Sequence, residues 1–383
     1  MSAVTIVQRV IPHYRVPFFD ALAELLRERG KTLRVIYGQE APGTVPRSVR
    51  VAAEWAMPIT NRYLFGGRLV AQPGSELLRD SELVIAEHAN SMLQTHKLVW
   101  RRACSARRLL ALWGHGRNFQ RRADLADRYK LWMAQRADWW FTYTQSGADL
   151  LTAQGFPRDR ISVVNNTVDT TAIAAGSSGL TPTARAQMRA ELGLCGENVA
   201  IFCGGMYPDK RLEFLVQSGE LIRRRVVDFE LIVVGAGPDQ RIVERAAATH
   251  SWVRYVGPRF ADELGRLLGL AKLLLMPGLV GLAIVDSFAA AVPMVTTDIP
   301  IHSPEFAYLE HGRNGLISEN SLEAYASLVA ETLLAPRRLE QLRIGCRASA
   351  ERYSLRRMAR SYADGVMACL RLPRAPAPLA QTP

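Results

Sequence analysis

An alternation, met twice, most restricts what this chain can fold into. Short apolar runs at residues 4–10, 33–37, 83–86, 109–113, 139–143 and 161–164 are separated by helical stretches at 16–28, 93–102, 121–136 and 147–153. The runs are apolar throughout rather than at every second position, as strands covered on both faces are. That order predicts a parallel sheet flanked by helices. The same alternation restarts at residue 199. Strands are expected at 199–203, 230–234, 253–256, 273–276 and 294–297, with helices at 211–225, 241–248, 261–268, 283–291 and from 322 onward. Between the two series, TTAIAAGSSGLTPT (170–183) is small and almost uncharged, which reads as a linker. The expected class is therefore α/β, with two doubly wound, Rossmann-like domains. Their boundaries are 1–170, a linker at 171–195 and 196–350. A helix at 351–372 is expected to cross back to the first domain, before a disordered Pro/Ala tail at 373–383. Ligands of such sheets bind at the carboxyl ends of the strands, here in a cleft between domains.

The start, MSAVTIVQRVIPHYR, has no basic segment before a long apolar run, so no secretory leader is expected. No apolar run approaches the ~18 residues of a membrane span. Five scattered cysteines without a CxxC pair support neither a disulfide framework nor a zinc cluster, and a reducing cytoplasm is the expected compartment. The net charge is +12, and it is uneven: Lys and Arg outnumber Asp and Glu by 24 to 15 up to Thr170 and by 24 to 21 beyond it. Such an excess suits an anionic partner, whether nucleic acid, membrane surface or phosphorylated ligand. GC-rich coding alone would also make a chain so heavy in arginine.

Three glycine motifs follow predicted strands. Gly235-Ala236-Gly237-Pro238 lacks the third glycine of a dinucleotide fingerprint, since Gln240 stands there, and reads better as a tight strand-to-helix turn. In GGMYPDKRLEFLV (204–216), Lys210 and Arg211 open a helix where cations and free N–H groups can both face an anion. In PGLVGLAIVDSFAAAVPMVTTD (277–298), a loop with Gly278 and Gly281 opens a helix near Leu282, whose N–H groups can cradle a diphosphate. Asp286 is an odd acid among apolar neighbours, suited to accept hydrogen bonds from two vicinal hydroxyls.

The ordered set GG…PDKR, LIVVGAGPD, VRYVG, LLLMPG..GLAIVDSFA, VPMVTTD and HGRNGLI resembles the C-terminal domain of retaining glycosyltransferase family 4 (glycosyl transferases group 1), of GT-B fold. The N-terminal half is similar in IPHYRVPFF, ALWGHGRN, ADWWFTYTQSGADLL and ISVVNNTVD, so the resemblance covers roughly residues 4–350. It implies a GT-B architecture, two doubly wound Rossmann-like domains facing across a cleft, and a nucleotide-diphosphate sugar donor, UDP or GDP. It also implies a product that keeps the donor's anomeric configuration. Carried over position by position, Lys210 matches the lysine on the donor diphosphate, and Asp286 the second acid of E-x7-E, on the ribose. Gly281 and Leu282 match the helix start beneath the phosphates, and His115 the histidine facing the donor sugar. Arg259 and Phe260 fall where the nucleobase packs, and Gly204 and Gly205 end the first donor-domain strand. Tyr14 and Arg15 occupy the first strand–helix loop, and His88, His302 and Glu305 are further cleft candidates. Glu305 also fits an ordinary helix-start acid.

Two positions depart from the family pattern. The arginine five before the lysine is Gly205, and the first acid of E-x7-E is Gly278. Donor-sugar identity is therefore not transferable, and Arg211 or Arg15 is the replacement cation to consider. Breaking the bond from sugar to diphosphate builds negative charge on the leaving group, which Lys210, an arginine and the helix start would stabilise. No DxD motif is present, so no metal and no cofactor are expected. Segments 97–110 and 117–140 mix arginine with Trp, Leu and Met, as surfaces lying on anionic membranes do. They also fit ordinary helices with arginine faces. No nucleic-acid module is recognisable. The reading is a metal-independent transferase that adds sugar to a glycan or lipid-linked acceptor in bacterial surface polysaccharide or lipopolysaccharide synthesis. It would be cytoplasmic and peripheral at the inner face of the membrane. The alternatives are a GT-B sugar-nucleotide epimerase and a catalytically silent GT-B binding subunit.

Overall fold

The structure is a computed structural model that describes residues 2–43, 49–104, 108–115 and 125–373. The chain divides into two units, Met1–Val168 with Leu355–Pro383, and Asp169–Ser354.

In the first unit the strands are β1 (Ser2–Val7), β2 (Lys31–Tyr37), β3 (Ala56–Pro58), β4 (Arg62–Leu64), β5 (Leu69–Ala71), β6 (Ser81–Glu87), β7 (Leu109–Gly114), β8 (Trp139–Thr142) and β9 (Ile161–Val163). The helices among them are α1 (Val16–Glu28), α2 (Leu93–Cys104), α3 (Leu125–Ala134) and α4 (Gln145–Ala153). Seven strands form one sheet in the order β3-β2-β1-β6-β7-β8-β9, and β4 and β5 form a separate antiparallel pair. Every pairing within the large sheet is parallel. β7 and β8 are buried at every residue, as their unbroken apolarity requires.

The second unit begins with α5 (Thr171–Ser178) and α6 (Pro182–Glu191). It continues β10 (Asn198–Cys203), α7 (Leu212–Arg225), β11 (Phe229–Val234), α8 (Gln240–Thr249), β12 (Val253–Gly257), α9 (Ala261–Leu270) and β13 (Leu273–Leu275). It ends with α10 (Ala283–Ala289), β14 (Met294–Thr297), β15 (Gly315–Ser318), α11 (Leu322–Leu333) and α12 (Pro336–Arg352). Its six strands are all parallel, in the order β12-β11-β10-β13-β14-β15, which reverses direction between β10 and β13. Ligands of doubly wound sheets sit outside the strand ends at such a reversal.

The last helix, α13 (Leu355–Leu370), belongs to the first unit. Tyr362 stacks on Phe141 at 4.2 Å between ring centres and meets Phe18 and Trp113 edge-on. Gly365 permits the approach: a Cβ there would lie 2.3 Å from the Ser162 hydroxyl and 2.7 Å from the Phe141 ring.

The stretch expected as a linker is ordered instead, as α5 and α6. Its small residues serve close packing rather than flexibility. A Cβ on Gly176 would lie 2.5 Å from the Asp262 carbonyl oxygen, and one on Gly265 of α9 would lie 2.5 Å from that of Ile173. Two helices this close need glycine on both. The tail at 374–383 and the first residues of the expected helix 121–136 lie outside the described residues.

Candidate functional site

Three strand-to-helix turns of the second unit converge at the carboxyl ends of β10, β11 and β12. Gly235, at φ +140°, sits so close to the first turn that a Cβ would lie 1.9 Å from the Gly204 carbonyl oxygen. Gly237 would meet Met206 in the same way, at 2.5 Å. The Met206 N–H donates to the Ala236 carbonyl at 2.9 Å, and the Gly235 N–H to that of Gly257 at 3.0 Å. The glycines of GAGP are thus explained by backbone packing, without a dinucleotide.

These turns wall a cavity of about 360 Å³. Cys203, Gly204 and Gly205 line it from β10, Arg259 and Phe260 from the turn after β12, and Asp286 from α10. Five of these six are residues the sequence singled out; Cys203 is not, because an apolar strand end carries no signal. Phe260 is 72% exposed, and Arg259 pairs with the solvent-facing Glu263 at 3.7 Å and donates to the Pro258 carbonyl at 2.9 Å. Both are available to a ligand.

Asp286 makes no side-chain hydrogen bond or ion pair among the described residues. Burial against apolar neighbours pushes its carboxyl up to about 7, so near neutral pH it is half protonated. The Cys203 thiol is pushed far above its ordinary range, first by burial and then by Asp286. Lys210 acts on the same thiol in the opposite sense, which places both charges near the cavity wall.

Lys210 itself does not line the cavity. Its ammonium donates to the Leu279 carbonyl, and burial lowers its pKa. The Leu279 N–H in turn donates to the Asp209 carbonyl at 2.8 Å. The turn bearing Lys210 lies directly on Gly278: a Cβ there would be 2.1 Å from the Asp209 carbonyl oxygen and 2.6 Å from the Lys210 Cα. No acid can stand at 278 in this arrangement. At Gly205 a Cβ would lie 2.6 Å from the Tyr207 ring, so that ring takes the space of the absent arginine side chain.

Arg211 does not replace that arginine at the cavity. It holds φ +58° and donates to Asn320 at 2.7 Å, Thr297 at 3.1 Å and the Pro277 carbonyl at 3.3 Å, with its guanidinium 4.1 Å over Phe214. It fastens the loop that opens at Pro277. Gly281 and Leu282 end that loop, and α10 begins at Ala283. His302 fastens it from the other side. Its Nδ1 accepts from the Val280 N–H at 3.1 Å, and its Nε2–H donates to the Thr297 carbonyl at 2.8 Å. Those partners require the neutral ring, and burial lowers its pKa accordingly. Glu305 is buried in the first turn of a short 3-10 helix, Pro304–Tyr308, and accepts from Ser303. His302 and Glu305 therefore support the loop rather than line the cavity.

In the first unit the singled-out residues also gather at strand ends. Arg15 is 7% exposed, donates to Asn166 at 2.6 Å and to the Met358 sulfur, and lies 5.5 Å from the Trp113 ring centre. It makes no ion pair among the described residues. Tyr14 borders its guanidinium at 5.6 Å. His115 follows β7 with its ring 4.6 Å from Tyr143, which also touches Trp113. His88 follows β6 but packs edge-on to Trp140, in the other core layer.

On α2 and α3, Trp100 is 54% exposed and meets Trp132 at 4.9 Å, and Arg136 lies 3.9 Å over the Trp132 ring. Arg102 is engaged by Asp138 through two bonds, and Arg108 by the Arg79 carbonyl. Arg107 and residues 117–124 lie outside the described residues. Among the described residues no His/Cys/Asp/Glu group is arranged to hold a metal, and no helix is long and apolar enough to cross a membrane.

Residues 197–334 match the family model for glycosyl transferases group 1. The GDP-mannose-dependent alpha-(1-6)-phosphatidylinositol monomannoside mannosyltransferase of Mycobacterium tuberculosis is 31% identical over 171 residues, 40% of this chain and 43% of that protein. The match thus spans less than half of the relative's length. Among solved structures, Anabaena HepE in complex with UDP superposes with a TM-score of 0.68 at 17% identity, covering 96% of this chain and all (100%) of that one. A glycosyltransferase from Rickettsia africae gives 0.70 at 13% identity, covering 97% and 99%. At such identities the likeness carries the fold. The chain has the GT-B fold, and residues 197–334 of its second unit match the glycosyl transferases group 1 family model.

Proposed function

We propose that this protein is a retaining glycosyltransferase that takes a UDP- or GDP-sugar as donor and works without a metal. The observation that carries this is the cavity at the β10–β13 reversal, where an unpaired carboxylate, an exposed aromatic ring and an arginine converge on glycine turns. Asp286 accepts the ribose hydroxyls, Phe260 and Arg259 flank the base, and the open backbone at Gly204 leaves room for the diphosphate. Lys210 offsets the charge that builds on the departing diphosphate. With Gly278 closed to any acid, the donor sugar is held by other groups. The mannosyltransferase relative and the UDP complex of HepE support nucleotide diphosphates as the donor class. The acceptor is a glycan or a lipid-linked glycan of the cell surface, presented at an anionic membrane. The exposed Trp100, packed against Trp132 beside Arg136, supports membrane contact through α2 and α3.

The closed Gly278 position also favours a second reading, a GT-B subunit that binds donor without turning it over. Thermal unfolding against UDP-, GDP- and dTDP-sugars in EDTA, followed by donor hydrolysis, tests both. One nucleotide class should raise the unfolding temperature, and slow metal-free hydrolysis should follow. Binding without any hydrolysis selects the silent subunit, and no shift with any donor rejects both.

A further inference from the structure

A second recess lies at the opposite end of the second sheet. It has a volume of about 960 Å³ and borders the residues that lead into β10 and β13, among them Glu197 and Lys272. Its walls are α6, through Arg185 and Arg189, and α12, through Glu340, Arg343 and Arg347. Among the described residues five cations face two carboxylates there.

Three of the five have local partners. Arg189 donates to the Gly196 carbonyl at 2.7 Å and pairs with Glu197 at 3.3 Å, and Lys272 donates to Asn198 at 2.9 Å. Arg185 donates to the Gly269 carbonyl near the end of α9, an ordinary place for a cation. Arg343 and Arg347 are different. They stand one turn apart on α12 and share a single acid, Glu340, at 3.9 Å and 2.5 Å. Like charges so spaced repel. Burial, together with Arg347 and Arg185, lowers the pKa of Arg343. The cations outnumber the carboxylates, and Arg185 stands more than a hundred residues before Arg343 and Arg347 in sequence. Leu180, Leu194, Leu268, Leu270 and Val292 form an apolar wall beside them.

We propose that this recess binds a phosphate group carried on a molecule with an apolar body, held between Arg185, Arg343 and Arg347. Guanidinium forks match phosphate oxygens in pairs, and the aliphatic wall takes the uncharged part. The phosphate comes from a soluble organic phosphate or from a lipid headgroup, and the site is separate from the cavity at the other end of the strands.

Phenylglyoxal modification of the full chain, read arginine by arginine by peptide mass spectrometry, tests this. Inorganic pyrophosphate should slow modification of Arg185, Arg343 and Arg347 at least threefold relative to sodium chloride of matched ionic strength. Protection by phosphatidylglycerol vesicles, but not by phosphatidylcholine vesicles or pyrophosphate, assigns the phosphate to a lipid headgroup. In Arg343→Gln/Arg347→Gln the protection of Arg185 should vanish, while Arg343→Lys/Arg347→Lys should keep part of it. Unchanged rates with both pyrophosphate and phosphatidylglycerol, equal protection by chloride, or protection of Arg185 surviving in the Gln variant would overturn the proposal.

Discussion

Among the described residues, each unit holds at the carboxyl ends of its strands a charge that makes no ion pair, and the two are of opposite kind. In the first unit it is Arg15, in the second Asp286. An arginine cannot shed its proton, so the fold surrounds it with Asn166, the Met358 sulfur and the faces of Tyr14 and Trp113. An aspartate can take up a proton, and burial shifts Asp286 toward that neutral form, with no donor supplied to it. The first charge is permanent and structurally satisfied. The second is left unsatisfied until a ligand brings donors.

That contrast is open to test, beginning with its largest consequence. Arg15→Ala should remove the packing of the guanidinium on Trp113 and leave Asn166 without its donor, costing about 2–4 kcal/mol in urea unfolding. A loss below about 0.5 kcal/mol would show that the cation only perches on the surface.

In the second unit, Gly278→Glu supplies the acid that the family pattern expects. It should drive the Lys210 turn off its seat, destabilise by about 1–3 kcal/mol and lower donor affinity rather than raise it. A stable variant with improved turnover would refute the steric reading of this glycine.

Asp286→Asn separates the two charges most sharply. The folded pKa is raised, so the native state holds a proton that the unfolded chain gives up between pH 4 and 7, and native stability declines as pH rises through that window. The Asn variant should therefore be more stable than wild type above about pH 7, by about 1–3 kcal/mol, and equal to it near pH 3. Thermal unfolding at the two pH values checks this.

The smallest effect belongs to His302. Its folded pKa is lowered, so acidification through its ordinary range protonates the unfolded chain first, and stability falls as pH drops below about 6.5. His302→Gln retains a donor and an acceptor and should flatten that decline while costing less than about 1 kcal/mol at pH 8. An unaltered acid limb would place the titration elsewhere.

Much of this was legible in the sequence, for identifiable reasons. Continuous apolarity marked the central strands, and an acid in an apolar helix marked Asp286. The family resemblance marked Arg259 and Phe260. Close approaches of distant segments were not legible. The reason residue 278 must be glycine lies in the backbone of Asp209 and Lys210, some seventy residues away in the chain. The small residues of 170–183 promised a linker because smallness looks alike whether it frees a chain or lets two helices touch. Arg211 and His302 were singled out for the ligand, yet their hydrogen bonds go to the loop beside the cavity. The hairpin of β4 and β5 has strands of three residues each, too short to show a period.

Donor affinity as a function of pH tests the central claim, that Asp286 awaits the hydroxyls of a nucleotide sugar, most directly. Calorimetric titration of the best donor between pH 5.5 and 8.5 should show affinity rising through about pH 7 as the carboxyl ionises, with proton release on binding below that point. Asp286→Asn should bind at least roughly tenfold more weakly at pH 8, a loss of ~1.4 kcal/mol, with a flat pH profile. The same pH slope in wild type and Asp286→Asn, with undiminished affinity in the variant, would contradict the claim.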